Sequence, residues 1–124
     1  MHRVLWGLQI VFGVYFVLVG VSHFIVPPGL PAAMSWMYDL SWELHVASGT
    51  AEVLGGLGLI LPGVTRIQPR LTTFAALGLT VVMVLAAGYH VQRAEYQNIV
   101  GNLVMAGAMA FVAYGRARLR PLSD

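Results

Sequence analysis

The stretch that most constrains the chain is His45–Gly63, HVASGTAEVLGGLGLILPG. It reads as one hydrophobic helix long enough to enter a bilayer, closed by Pro62-Gly63, with a single carboxylate, Glu52, about two turns from the His45 end. An acidic residue deep in a spanning helix costs about 2.5–3.5 kcal/mol on insertion scales. The fold must therefore supply polar partners for Glu52 or keep its carboxyl neutral. A helix with such a requirement needs neighbours, and the remaining sequence offers three more apolar stretches.

These predict spans at about 4–26, 71–90 and 96–115, with the central stretch spanning about 44–62. The chain has 124 residues, of which 58% are hydrophobic and 10% charged. A soluble domain carries roughly 25% charged residues, so the composition points to a single all-α domain in a membrane. The first apolar run is longer than a secretory h-region and ends in Pro27-Pro28, not in a small-residue cleavage site; it is expected to remain as a span. Gly7, Gly13 and Gly20 recur about every two turns and are expected on one close-packing face. Pro27–Glu43 is too polar and broken to span. Its Trp36, Tyr38 and Trp42 suit the membrane–water boundary, as an interfacial loop with a short helix near Ala32–Leu40 or as a lid over a pocket.

Six of the seven arginines, Arg3, Arg66, Arg70, Arg116, Arg118 and Arg120, fall at one end of a four-span bundle, and Arg93 alone at the other. The positive-inside rule then gives an N-in, C-in protein of the inner membrane. The net charge of +2, confined to loops and ends, excludes nucleic acid as a partner. There is no cysteine, so disulfides, thiolate metal sites and CxxC redox chemistry are excluded within the chain.

With this topology the polar residues of the spans gather in the outer half. His45, Gly49, Glu52 and Gly56 share one helix face, beside a small face of Ala47, Ala51 and Gly55. His23 and His90 lie near the outer ends of the first and third helices, and Asn98 and Asn102 in the first turns of the fourth. Glu52 is the candidate catalytic group, and His23, His90, Asn102, Asn98 and His45 are candidate ligand-binding groups. Two histidines and a glutamate match a metal ligand list, although no HExxH-like pair backs it, and no metal is assigned. A histidine and a carboxyl also suit the carbonyl oxygens of a quinone held between apolar walls, or the transfer of a proton. Haem ligation by His23 and His90 has no local motif behind it. Against all of these stands a packing role, in which Glu52 and the asparagines only join helices.

Several stretches resemble the DoxX-like family of small membrane proteins: Val19-Gly20-Val21-Ser22-His23-Phe24, the run Gly49–Pro62 (GTAEVLGGLGLILP), Thr65-Arg66-Ile67, Ala75–Leu79 (AALGL) and Asn102-Leu103-Val104. The G-x-x-E-x-x-G-x-x-G-L pattern around Glu52 is the most specific of these. The resemblance implies a four-helix membrane protein associated with respiratory or oxidative-stress redox systems. One branch of the family is a subunit of a thiosulfate:quinone oxidoreductase, and another aids maturation of an amine dehydrogenase. The residues carried over are Glu52 and its flanking glycines. Where many relatives have Lys after the first-helix Ser, this chain has His23. The absence of cysteine speaks against thiol-based sulfur chemistry. The expectation is a redox-linked subunit or small enzyme that binds a quinone or other apolar molecule; the alternative is a non-catalytic scaffold or chaperone. The expected partners are the lipid bilayer, an apolar small molecule, a redox protein and further copies of the chain.

Overall fold

A computed structural model describes residues 1–123. Four long helices account for most of it: α1 His2–Ser22, α3 Trp42–Thr65, α4 Leu71–Gln92 and α5 Tyr96–Tyr114, with the single-turn α2 Trp36–Asp39 between α1 and α3. No strand occurs among the described residues. α1, α3, α4 and the continuous helical segment Tyr96–Leu119 are each long and apolar enough to cross a bilayer. At 1.5 Å per residue, a 21-residue helix reaches about 30 Å, the thickness of the hydrocarbon core. The outward faces are apolar along their length, with Val11, Leu18, Leu54, Phe74, Leu85 and Val104 all well exposed. Such a surface suits lipid and would be unfavourable in water.

The helices run up and down, each packed against its neighbour in sequence, and α5 returns to α1 to close the bundle. Leu5, Phe16, Leu59, Leu79, Met109 and Val112 fill the interior. Lipid tails are as apolar as these side chains, so close van der Waals contact, not transfer from water, must hold the helices together. The α1–α3 seam shows how. A Cβ on Gly56 would lie 2.6 Å from the Gly13 carbonyl oxygen, and one on Gly20 would lie 2.9 Å from that of Gly49. Two pairs of glycines thus bring the backbones into contact. Gly7, expected on the same face, is exposed with no atom near its missing Cβ. Gly7 is six residues from Gly13, a step that rotates it about a third of a turn off the α1–α3 line, whereas the seven-residue step from Gly13 to Gly20 nearly returns to it.

Several ends depart from the expected bounds. α1 stops at Ser22 and leaves His23–Val26 outside the helix. Ser41 caps α3, its hydroxyl accepting from the Leu44 amide at 3.3 Å, so the helix starts at Trp42. The expected closure at Pro62-Gly63 is wrong: Pro62 lies inside the helix, which runs on to Thr65. Proline there removes a single backbone bond, the one to the Gly58 carbonyl. The Thr65 hydroxyl donates to the Leu61 carbonyl at 2.7 Å, and Arg66, at φ 59°, turns the chain out of the helix. After α5 the residues Gly115–Leu119 continue in a wider turn, closed by Arg120 N–H donating to the Gly115 carbonyl at 2.7 Å.

Both described ends of the chain meet. Arg116 donates to His2 Nδ1 at 3.0 Å and to Gln9 Oε1 at 2.5 Å, and Gln9 Nε2 donates to the Leu59 carbonyl at 2.7 Å. Gln9 and Arg116 are fully or nearly fully buried, so this chain of bonds ties α1, α3 and the end of α5 together.

Candidate functional site

The opposite end of the bundle holds a second set of buried polar residues, His23, His45, Glu52, His90 and Asn102. Glu52 faces the interior and is 5% exposed. The face expected for it is the buried one: His45, Gly49, Glu52 and Gly56 all point inward. Gly49 brings α1 close, and His23, three residues beyond Gly20, reaches across the seam. Its Nε2 lies 3.4 Å from Glu52 Oε2. On the other side, His23 Nδ1 is 2.9 Å from His45 Nδ1, and His45 Nε2 is 2.8 Å from the Met37 carbonyl oxygen.

These contacts constrain the tautomers of the two rings. A carbonyl oxygen only accepts, so His45 Nε2 donates to Met37. Nδ1 of a neutral His45 ring must then accept, and His23 Nδ1 donates to it. A neutral His23 therefore turns the lone pair of Nε2 toward Glu52. Two lone pairs would repel, so a proton belongs between them, on the Glu52 carboxyl or on the His23 ring. Glu52 Oε2 has no other partner. Glu52, His23, His45 and the Met37 carbonyl thus form a line from the bundle interior to the segment before α3, along which one proton can be held or passed.

Beside this line lies a cavity of about 290 Å³. Its walls are mostly apolar: Phe16, Val19, Ala51, Val82, Met83 and Met105 among them. Polar residues in its lining include Tyr15, Glu52, His23, His90 and Asn102. Asn102 is buried, and its Nδ2 has no hydrogen-bond partner. Unpartnered buried donors and acceptors are few in folded proteins. Asn102 Nδ2 is one of them, and its residue lines the cavity together with Glu52.

Trp36 lines the cavity from α2. Its ring lies 6.1 Å from that of His23 and 5.0 Å, edge to face, from that of His90. The indole of the short α2 therefore lies beside both histidines. The segment is fastened at several points. Tyr38 donates to the Pro27 carbonyl and accepts from the Leu30 amide. Arg93 pairs with Asp39 at 2.8 Å and with Glu95 at 2.8 Å, and His90 Nδ1 is 3.0 Å from the same Glu95 oxygen. The hydrogen bond from His90, reinforced by Arg93, holds the Glu95 carboxyl below its ordinary range. Bonds to Asp39 and Glu95 raise the Arg93 guanidinium further above its already high value. The latch therefore stays charged at neutral pH. His90 spends Nδ1 on Glu95, and Nε2 is the nitrogen left for a ligand.

Two expected site residues do not line the cavity. The Asn98 amide donates to the Ala33 carbonyl at 2.9 Å and fastens the segment before α3 to α5. His45 is set back behind His23, with both ring nitrogens engaged. His23, His90 and Glu52 do not close on one point. Among the described residues no group of three His, Asp or Glu side chains is placed to hold a metal ion. The sequence reading did not single out Tyr15 as a wall of the site, and a tyrosine in an apolar span was the signal available for it.

Fold and site together define a multi-pass membrane protein of four helices, with a buried His–Glu pair and a mostly apolar cavity lined in part by Trp36. The chain belongs to the DoxX-like family, whose sequence model matches residues 7–113. Neither a curated protein nor a solved structure matches it.

Proposed function

We propose that the cavity binds a quinone or quinol-like molecule, small and apolar with oxygen functions on its ring, as a redox-linked membrane subunit or small enzyme. The observation that carries this reading is the buried Asn102 Nδ2, without a hydrogen-bond partner, in a cavity whose walls are mostly apolar. Asn102 Nδ2 suits a ring carbonyl as acceptor, and His90 Nε2 or Glu52 suits a ring hydroxyl as donor. At about 290 Å³ the space lies at the small end of ligand pockets and suits a ring, with any tail leaving toward lipid. Proton movement on such a ring would use the Glu52–His23–His45 line. Electrons would come from or go to a redox partner.

Extraction in mild detergent, followed by mass spectrometry and absorbance of the extract, tests this. A quinone retained in stoichiometric amount is the expected result, lost when Asn102 is replaced by Leu. An empty protein that instead carries a stoichiometric partner chain would favour the scaffold reading. One observation speaks for that alternative: Gly78, Gly88, Gly101 and Gly107 have open space where a side chain would be, on surfaces that another helix could meet.

The site is proposed to face the outer side of the inner membrane. The structure brings His2 and Arg116 together, and Arg70 and Arg116 line one cavity, so both described ends and the turn after α3 share the arginine-rich end. The positive-inside rule makes that end cytoplasmic. A reporter fused at Asp124, outside the described residues, should be active only if it is a cytoplasmic reporter. Activity of a periplasmic reporter there would reverse the orientation.

A further inference from the structure

We propose that the arginine-rich end of the bundle holds a phosphate-bearing group in the cavity between the start of α4 and the C-terminal tail, gripped by Arg116 and Arg70. Arg116 is 3% exposed, yet no carboxylate pairs with it among the described residues. Its Nε bonds Gln9 and its Nη1 bonds His2 and the Arg120 carbonyl, all uncharged acceptors; the guanidinium carbon lies over the Trp6 ring, 5.5 Å from its centre, a contact that supplies no counter-charge. Nη2 has no partner at all. A buried cation without a counter-charge is strongly disfavoured, and one removed from water this completely calls for an anion.

The place for that anion is open. Arg116 lines a cavity of about 280 Å³ together with Arg70, Thr73, Phe74 and Leu122. Two guanidinium groups and a hydroxyl are donors suited to the several oxygens of a phosphate. The four carboxylates of the described residues, Asp39, Glu43, Glu52 and Glu95, belong to the other half of the bundle, so none competes. The cavity sits where a spanning bundle meets lipid headgroups, and Phe74, exposed beside it, offers apolar surface to an acyl chain. A phospholipid phosphodiester and a free phosphate share the chemistry that Arg116 and Arg70 recognise.

Full-length protein is held in dodecyl maltoside micelles, which carry no phosphate, with and without added phosphatidylglycerol, or with inorganic phosphate at matched ionic strength. Thermal unfolding and native mass spectrometry are the readouts. Phosphatidylglycerol is expected to raise Tm by several degrees and to leave one retained lipid per chain. If inorganic phosphate in micelles without phospholipid gives the same rise, the site is still shown but its occupant is a free phosphate. The double substitution Arg70→Gln, Thr73→Val keeps the Gln9–Arg116 bonds and should abolish both effects. Arg66→Gln removes the same charge outside the cavity and should keep them. Asp124→Asn should also behave as wild type; tighter phosphate or lipid binding in it would mean that the chain's own carboxylate is the occupant, and would overturn the proposal. So would a wild-type protein indifferent to both anions, or a double variant that still responds.

Discussion

Glu52→Gln is expected to leave the bundle folded and to empty its cavity. The glutamine side chain has the size of the glutamic acid, and its amide can donate to His23 Nε2 as a protonated carboxyl would. The contact that joins α1 to α3 at 3.4 Å is thus preserved in kind. Interhelical hydrogen bonds in bilayers average about 0.6 kcal/mol, so Tm should barely move. What glutamine cannot do is carry a negative charge or exchange a proton with a ligand. Hydrogen bonds to charged groups are worth about 1.5–3 kcal/mol, which corresponds to roughly a tenfold or greater loss of retained quinone. Glu52→Leu separates the two roles further, because it leaves His23 Nε2 facing an apolar group. The measurement is thermal stability in detergent alongside ligand retention for both variants. Glutamine matching wild type in both would remove Glu52 from the proposed chemistry and leave it as a packing residue.

How far the sequence exposed this site follows from what kind of contact each residue makes. The inward face of α3 was legible because it depends only on helical periodicity: His45, Gly49, Glu52 and Gly56 are spaced by four, three and four, and all are buried. The four spans were legible because a bilayer requires long apolar helices. Gly13 and Gly20 were legible as a packing face, since only glycine allows such backbone approach. The role of His45 was not. It depends on the Met37 carbonyl, eight residues earlier, and on His23 twenty-two residues away, neither of which any spacing rule connects to it. Asn98 looked equivalent to Asn102 because the two lie one turn apart on α5, but the segment before α3 reaches far enough to claim Asn98 and leaves Asn102 to the cavity. The Gln9–Arg116 bond joins residues 107 apart, and its only sequence sign was a lone amide in an apolar helix. Pro62 misled because proline is a strong stop signal in general, whereas near a helix end it costs only one bond.

The glycine seam carries the largest expected effect on the fold itself. Gly56→Val would place Cβ 2.6 Å from the Gly13 carbonyl oxygen and 3.0 Å from the Val17 amide nitrogen. Both are backbone atoms, so no rotamer change relieves the clash, and α1 must move away from α3. Overpacking a core costs about 1–3 kcal/mol even where side chains can shift. A backbone collision belongs at or above the top of that range, against a total stability of about 5–15 kcal/mol for a typical protein. Separation of the helices also reaches the site. Gly20 and Gly49 continue the same seam, and His23 and Glu52 each lie three residues beyond them, so the spacing of the seam sets the 3.4 Å contact. Gly56→Val should therefore lower Tm by many degrees and lose cavity occupancy with it. Gly7→Val and Gly101→Val meet no atom within 4 Å and should behave as wild type in thermal unfolding. Equal stability of Gly56→Val and Gly101→Val would show that α1 and α3 do not touch through these glycines, and that another contact positions His23 against Glu52.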